Sequence, residues 1–278
     1  MLAHRISNGK GPRMTGKPLR VQVESAEDVA VVRFANPPHG TISNGGAADL
    51  VAAIRPLLAA AETRAIILTG GQDGIFIRHA DVRQIATSLE RVGMGSVDPQ
   101  AFATSAFAEL GAMLDAAEKP VIAAIDGLCM GGGFEIALAC TMRIASPAAT
   151  AIGLPEIRLD IFPGGGGTQR LSRLVGRHRA RLFMLRGDVM TASQALAAGL
   201  VDEVVPCALD RALELAGMFA GRSTAAVSAI LRLTATDEDR ERLAAEACRF
   251  GELGLTGEAL PEALFQFAEG DVGLETMR

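Results

Sequence analysis

The fold is decided by the stretch Val121-Ile-Ala-Ala-Ile-Asp-Gly-Leu-Cys-Met-Gly-Gly-Gly-Phe-Glu-Ile-Ala-Leu-Ala-Cys140. Its first five residues are apolar and predict a buried strand at 121–125, and its glycine triplet leads into a predicted helix over 131–140. That helix is apolar on all sides, which is typical of a buried helix. A buried strand followed by a buried helix indicates an α/β protein.

Strands and helices alternate along most of the chain, and helices alone follow. Strands are predicted at 19–24, 29–34, 65–69, 142–145, 149–153 and 200–205, the first two as a hairpin. Helices are predicted at 47–61 (with a kink or break at Pro56), from 81, at 102–118 and from the capping-box match at 191–194. The last predicted helices lie at 209–220, 225–233, 237–253 and 261–268. This order predicts an α/β body, residues 19–206, and a C-terminal helical region, residues 207–278.

Composition and charge exclude several classes of protein. The 278-residue chain has a formal net charge of −5 and neither Trp nor Tyr, whereas nucleic-acid binders combine positive charge with aromatic stacking. The most apolar stretch, 120–142, contains Asp126 and Glu135, and two carboxylates are costly in a lipid-spanning helix. The four histidines are scattered. We therefore predict no nucleic-acid partner, no membrane span and no metal site.

Cysteine usage and the first residues bear on the cellular compartment. Cys129, Cys140, Cys207 and Cys248 show no C-x-x-C spacing and have apolar neighbours, which predicts small core side chains in a reducing compartment. Residues 1–18 are basic, lack the apolar core of a secretory signal and are predicted to be a disordered leader. A cytoplasmic location is the prediction, and organellar targeting by the basic leader is the alternative.

Glu135 is the only ordinarily charged side chain between Asp126 and Arg143. A carboxylate in a buried helix costs several kcal/mol unless it is paired, hydrogen-bonded or protonated. The glycines ahead of it allow a ligand to approach the backbone, and their N–H groups can donate to an anion. Amide donors for an oxyanion beside a buried carboxylate are typical of an active site. The alternative is that the glycines allow tight helix–strand packing and that Glu135 pairs with an arginine.

Two further stretches could carry chemistry. Glu156 lies between a proline and an isoleucine, and apolar surroundings raise the pKa of a carboxyl toward use as a general acid. The alternative there is a surface charge network with Arg158 and Asp160. The loop 74–83 could supply a second oxyanion donor from its backbone. Its His79, taken alone, is more typical of a solvated loop histidine than of a catalyst.

Together the three stretches resemble the enoyl-CoA hydratase/isomerase (crotonase) superfamily. The resemblance rests on Asp126-Gly-Leu-Cys-Met-Gly-Gly-Gly-Phe-Glu135 and on the run 153–170, which are specific as a pair, and it covers roughly residues 19–270. It implies a spiral of ββα units with a C-terminal α-helical trimerisation region, assembled as a homotrimer or as a hexamer made of two trimers. It also implies an acyl-CoA thioester as substrate and no separate cofactor, because coenzyme A is part of the substrate.

The resemblance also implies roles for particular residues. The backbone N–H groups of Gly132 and Ala80 would hold the thioester oxygen and stabilise an enolate. Glu135 would orient and deprotonate the water that attacks C3, and Glu156 would deliver the proton to C2. Arg83 matches a basic position near coenzyme A. The other expected substrate contacts are Arg78, His79, Asp81 and Gly131.

The sequence departs from the family pattern in two places. Where the family has Ala-Gly ahead of the Ala-Asp pair at 80–81, this chain has Arg78 and His79, which could narrow the acyl pocket, add a charge to it or shift the Ala80 amide. The segment between Cys140 and Glu156 is one residue longer than usual. An enoyl-CoA hydratase is the function that the resemblance implies. The alternatives are a double-bond isomerase, a decarboxylase or a thioester hydrolase on the same fold, or a non-catalytic binding role.

Overall fold

The computed structural model of the chain describes residues 20–235, 238–270 and 273–277. The predicted leader, residues 1–18, lies outside the described residues. None of the described helices is long and apolar enough to cross a lipid bilayer.

The strands form two sheets that grow together along the chain. In chain order they are β1 (Val21–Ala26), β2 (Val29–Phe34), β3 (Ala65–Gly70), β4 (Gly74–Ile77), β5 (Val121–Ile125), β6 (Gly127–Met130), β7 (Met142–Ala145), β8 (Ile152–Gly153), β9 (Val189–Met190) and β10 (Glu203–Val204). The longer sheet has the order β1-β2-β3-β5-β7-β10 and is parallel except for β1. The shorter sheet has the order β4-β6-β8-β9 and is parallel except for β9. Each of β4, β6 and β8 directly follows a strand of the longer sheet, so the chain adds one strand to each sheet in turn.

Helices follow these strand pairs and then form the end of the described chain. The helices of the body are α1 (Asn44–Ala59), α2 (Val82–Gly93), α3 (Ala106–Asp115), α4 (Gly132–Ala139), α5 (Gly167–Val175), α6 (Arg177–Arg186) and α7 (Ala192–Ala197). After β10 come α8 (Ala208–Ala220), α9 (Thr224–Thr234), α10 (Glu238–Glu252) and α11 (Ala259–Glu269). The order β3-β4-α2 and then β5-β6-α4 gives the predicted ββα units.

The longer sheet is covered on both faces, and the side chains of each strand alternate between the two faces. Leu68 and Ala123 pack in a cluster with α1 and α4, whereas their chain neighbours Ile67 and Ile122 pack in a second cluster with α8. All eight residues of α4 are buried, as its apolar sequence predicts. The first helix beyond residue 206 therefore covers one face of the main sheet.

The helices differ from the prediction in two respects. Pro56 does not break α1, which continues to Ala59, because a proline in the last turn removes only one hydrogen bond of the helix. No helix is predicted over α5 and α6. The glycine run 164–167 precedes and opens α5, and Gly176 separates the two helices, which have only nine and ten residues.

The prediction of four core cysteines is correct for only two of them. Cys129 and Cys140 are buried, whereas Cys248 is half-buried and Cys207 is exposed. All four are free thiols. Cys207 lies in the connection between β10 and α8, where apolar neighbours in sequence do not determine which way the chain faces.

Gly133 is required by the packing of α4 on the shorter sheet. A Cβ at this position would lie 2.0 Å from the Ile77 carbonyl oxygen, which belongs to the backbone and cannot turn away. We expect Gly133→Ala to lower the free energy of unfolding by about 1–3 kcal/mol, measured by urea unfolding with far-UV circular dichroism. The matched control is Gly217→Ala within α8, where no atom lies within 4 Å of the new Cβ. An equal urea midpoint for both variants would contradict the prediction.

Candidate active site

A cavity of about 310 Å³ opens at the N-terminus of α4. Its lining includes Ala80, Gly131, Gly132, Glu135 and Glu156. These residues come from the loop before α2, from the start of α4 and from the segment after β8. The two glutamates and the two amide donors named by the family resemblance therefore share one cavity, although 76 positions separate Ala80 from Glu156 in the sequence.

The backbones of Ala80 and Gly132 lie side by side at the cavity wall. A Cβ on Gly132 would lie 3.3 Å from the Ala80 nitrogen, so the close approach depends on the missing side chain. Ile42 fixes the loop: its N–H donates to the His79 carbonyl at 2.9 Å and its carbonyl accepts from the Asp81 N–H at 2.8 Å. This pairing directs the Ala80 N–H away from Ile42. The Gly132 N–H opens α4 and has no acceptor within the helix, so both amides can donate to a ligand.

Glu135 is buried and held by backbone amides rather than by an arginine. Its Oε1 accepts from the Gly165 and Gly167 N–H groups, each at 2.8 Å. The ion pair considered as the alternative is absent among the described residues, because Arg170 donates to Asp115 at 2.7 Å instead. Burial raises the pKa of the Glu135 carboxyl, and the two amides and the Arg170 charge partly oppose that rise. The amides fix the carboxylate group in one orientation in the cavity.

Glu156 is buried, and neither of its carboxylate oxygens has a hydrogen-bond partner among the described residues. Burial raises the pKa of this carboxyl well above its ordinary value, and the nearby Glu135 charge raises it further. The surface network considered as the alternative is wrong, since Arg158 donates to the carbonyls of Leu274 and Met277. A buried carboxyl without a protein partner is available to a ligand.

His79 is not a solvated loop histidine, and that interpretation is wrong. It is 9% exposed and lines the cavity. Its Nδ1 lies 2.7 Å from the Ala80 carbonyl oxygen, and its ring centroid lies 6.5 Å from that of Phe267 in α11. Burial lowers the pKa of the imidazole, so His79 is neutral at neutral pH. It therefore narrows the cavity without adding a charge.

The two arginines expected near the substrate are directed toward the C-terminal residues. Arg78 pairs with Glu275 at 2.8 Å, and Arg83 pairs with Glu269 at 3.5 Å. Neither lines the cavity. Arg158 holds the same C-terminal segment through the Leu274 carbonyl at 2.9 Å, and the Leu274 side chain is part of the cavity wall. Arg78 therefore helps to fix a wall of the cavity.

Asp81 and Gly131 do line the cavity. The Asp81 carboxylate accepts from the Gln84 N–H at 3.1 Å and so caps the N-terminus of α2. Gly131 has a φ of +48°, and a Cβ there would lie 3.2 Å from Glu156 Oε1. Gly131 therefore shapes the start of α4, and Asp81 fixes the end of the loop 74–83 at the start of α2.

Glu246 is a third carboxylate near the site that the sequence analysis misses. It is buried on α10, where its Oε1 accepts from the Gly166 N–H at 2.5 Å and its Oε2 accepts from the Thr168 hydroxyl. Burial and the Glu135 charge raise its pKa to about 7. The sequence around it is an ordinary charged helix. The available signal was that Glu246 lies four residues before Phe250, so the two side chains share one side of that helix.

The fold and the site define a member of the crotonase superfamily. The chain belongs to the enoyl-CoA hydratase/isomerase family, whose model matches residues 24–270. YngF of Bacillus subtilis is 44% identical over 166 residues, which are 59% of this chain and 61% of YngF. The fatty acid oxidation complex subunit alpha of Shewanella amazonensis is 38% identical over 181 residues, which are 64% of this chain and 24% of that protein. This chain therefore spans less than two thirds of either relative.

A solved structure supports the same assignment. The crystal structure of an enoyl-CoA hydratase from Bacillus anthracis matches with a TM-score of 0.69 at 31% identity, over 82% of this chain and 89% of that one. The predicted superfamily and the crotonase-like α/β fold with C-terminal helices are thereby confirmed. The domain boundaries and the role of the C-terminal helices in trimerisation stay predictions.

Proposed function

We propose that this protein is an enoyl-CoA hydratase, which adds water across the 2,3-double bond of a 2-enoyl-CoA thioester. The observation that carries the proposal is the buried, unpartnered Glu156 carboxyl in one cavity with Glu135 and with the amides of Ala80 and Gly132. Addition of water needs a base and an acid on the same substrate. Two carboxyls in different environments can take these two roles.

The proposed reaction assigns one task to each group. The amides of Ala80 and Gly132 donate to the thioester oxygen and stabilise the enolate that forms when water attacks C3. Glu135, ionised, takes a proton from that water, and its amide bonds favour the ionised form. Glu156, whose raised pKa favours the protonated form, gives its proton to C2. The product gains one OH and one H, and proton exchange with solvent restores the two carboxyls.

The ligand in this proposal is an acyl-CoA thioester. Coenzyme A is part of this substrate, so the reaction uses no separate cofactor, and the proposal includes no metal. The apolar part of the cavity suits an acyl chain; its aromatic side chains are Phe102, Phe107, Phe162 and Phe250. Assembly as a homotrimer or hexamer and a cytoplasmic location are part of the same proposal. The family resemblance supports the assembly, and the four free thiols support a reducing compartment.

The test follows the loss of enoyl absorbance with crotonyl-CoA and with medium-chain and aromatic 2-enoyl-CoA esters. Hydration of at least one ester, lost in Glu135→Gln and Glu156→Gln, is the expected result. A wild type that hydrates none of them would overturn the proposal. Parallel assays with 3-enoyl-CoA and malonyl-CoA then distinguish an isomerase from a decarboxylase.

The wall formed by the C-terminal segment gives a separate prediction. Arg158→Ala removes the donors to the Leu274 and Met277 carbonyls but touches neither glutamate. We expect KM for the preferred enoyl-CoA to rise about 3- to 10-fold with kcat nearly unchanged, because the wall contributes to binding and not to the reacting groups. Steady-state kinetics measure both constants. Arg186→Ala, which removes an exposed arginine paired with Asp188, is the control, and a fall in kcat with unchanged KM would contradict the prediction.

A further inference from the structure

Two carboxylates hold successive amides of the glycine run 164–167. Glu135 accepts from Gly165 and Gly167, and Glu246 accepts from Gly166 between them. We infer that Glu246 is a positioning residue, which fixes this run from the C-terminal helix α10 and thereby orients Glu135 and sets its charge state. The inference rests on the proposed function for the role of Glu135.

The backbone of the run needs such support. Gly166 has a φ of +104°, which side-chain-bearing residues rarely adopt, and its N–H points toward α10. The amides on either side of it point the opposite way, to Glu135. Arg170 braces the run at one more point, where it donates to the Gly165 carbonyl at 2.6 Å. Among the described residues, Glu246 is the acceptor on the α10 side, so a shift of this side chain moves the amides that hold Glu135.

The charges around Glu246 couple it to Glu135. Glu135 on α4 and Arg170 on α5 are the charged groups that act on it, and Arg170 is itself paired with Asp115 of α3. The short segment Pro99–Phe102, which also packs against α10, carries no charge. The Glu246 charge in turn raises the pKa of Glu156. Neutralising Glu246 should therefore lower the pKa of Glu156.

The kinetic test compares Glu246→Gln with Glu246→Ala. Gln can still accept from Gly166 and donate to Thr168, so it removes the charge and keeps the contacts, whereas Ala removes both. We expect the alkaline limb of the pH profile of kcat/KM for enoyl-CoA hydration to move down by about one unit in Glu246→Gln, because Glu156, the general acid of the proposed reaction, loses a neighbouring negative charge. We expect kcat to fall about 10- to 100-fold in Glu246→Ala, because Glu135 is then misplaced. The control is Glu252→Gln on the same helix, which removes a charge paired with Arg249.

A second test needs no substrate. Folding raises the pKa of Glu246 from 4.5 to about 7, so the stability that this group contributes is present below the unfolded value and is lost as pH rises through about 7. Glu246→Gln should therefore lose less stability than the wild type between about pH 5 and about pH 8. Far-UV circular dichroism reports urea unfolding, since the chain has no Trp or Tyr. The double variant with Glu135→Gln should be non-additive with the two single variants, because both side chains hold one run.

The two tests separate failure of this inference from failure of the proposed function. If the wild type hydrates no enoyl-CoA, the proposed function is wrong. Urea unfolding of the two single variants and the double variant then decides by itself whether Glu246 and Glu135 are coupled. If hydration is present, an unshifted pH profile in Glu246→Gln together with additive unfolding effects would overturn the inference. An equal shift of the pH profile of kcat/KM in Glu252→Gln would also overturn the inference, because the shift would then come from the change in net charge and not from the position of Glu246.

Discussion

Glu156→Gln lowers kcat for enoyl-CoA hydration by about 10²- to 10⁴-fold, the usual contribution of a general acid, while the fold is kept. Gln has nearly the size of Glu but cannot supply the proton to C2. The fold is kept because neither Glu156 oxygen has a hydrogen-bond partner among the described residues, so no contact is lost. Activity assays and urea unfolding on the same preparation measure the two effects.

The pH dependence of stability in this variant has a defined sign. Burial raises the pKa of Glu156 well above 4.5, so the stability it contributes is present below that value and is lost as pH rises through the raised pKa. The Gln variant lacks this loss. Its urea midpoint should therefore equal that of the wild type in acid and exceed it in mild alkali.

A matched surface variant controls for the change of charge. Glu269→Gln removes a carboxylate that is 65% exposed and paired with Arg83, and it should leave kcat unchanged. Full activity in Glu156→Gln would remove this residue from the mechanism. A variant that unfolds more easily than the wild type at every pH would instead show that Glu156 has a structural role.

Gly132→Ala is the second substitution with a large expected effect. The new Cβ would lie 3.0 Å from the Ala80 Cβ and 3.1 Å from Phe107 Cζ, in the gap beside the Ala80 amide. The neighbouring atoms must then shift by a few tenths of an ångström, and a shift of the Ala80 backbone weakens the donation of its amide to the thioester oxygen. We expect kcat/KM to fall about 10²- to 10³-fold, which is the cost of losing one oxyanion donor.

The stability of this variant distinguishes a blocked site from a misfolded chain. Far-UV circular dichroism of Gly132→Ala should match the wild type, because the clash is with side-chain and loop atoms at the cavity. Gly217→Ala again serves as the control, with full activity expected. Wild-type kcat/KM in Gly132→Ala would show that the Gly132 amide does not hold the thioester oxygen.

Much of the fold could be predicted because its signals are local. The strand at 121–125 matches β5, since a run of five apolar residues that includes β-branched side chains is typical of a strand in a sheet buried on both faces. The capping box at Thr191 is present as predicted, because it depends on four consecutive residues. The strands β4 and β6 were missed because each is short and begins with a glycine, which is a turn signal. The two strands pair with each other across some 50 positions of sequence, which no local pattern shows.

Some features of the site could also be predicted from the sequence, and others could not. Glu135 could be identified because a lone carboxylate in an apolar helix is costly to bury unless it is hydrogen-bonded, paired with an opposite charge or protonated. Which partner it has could not be read, because the Gly165 and Gly167 amides are brought to it by a loop 30 residues away. The surroundings of His79 and Arg78 could not be read from the sequence for a related reason: they come from the C-terminal helix and segment, which pack over the loop.

The sequence by itself determined the class of fold, the buried helix that carries Glu135, and the glycines that free the amides at its start. Those properties follow from the polarity and backbone freedom of neighbouring residues. Only the tertiary structure decided that Glu156 is buried with no hydrogen-bond partner in the part of the chain that the structure describes, that Arg78 and Arg158 hold a cavity wall, and that Glu246 reaches the glycine run from α10. These properties depend on contacts between residues far apart in the chain, which local sequence patterns do not encode.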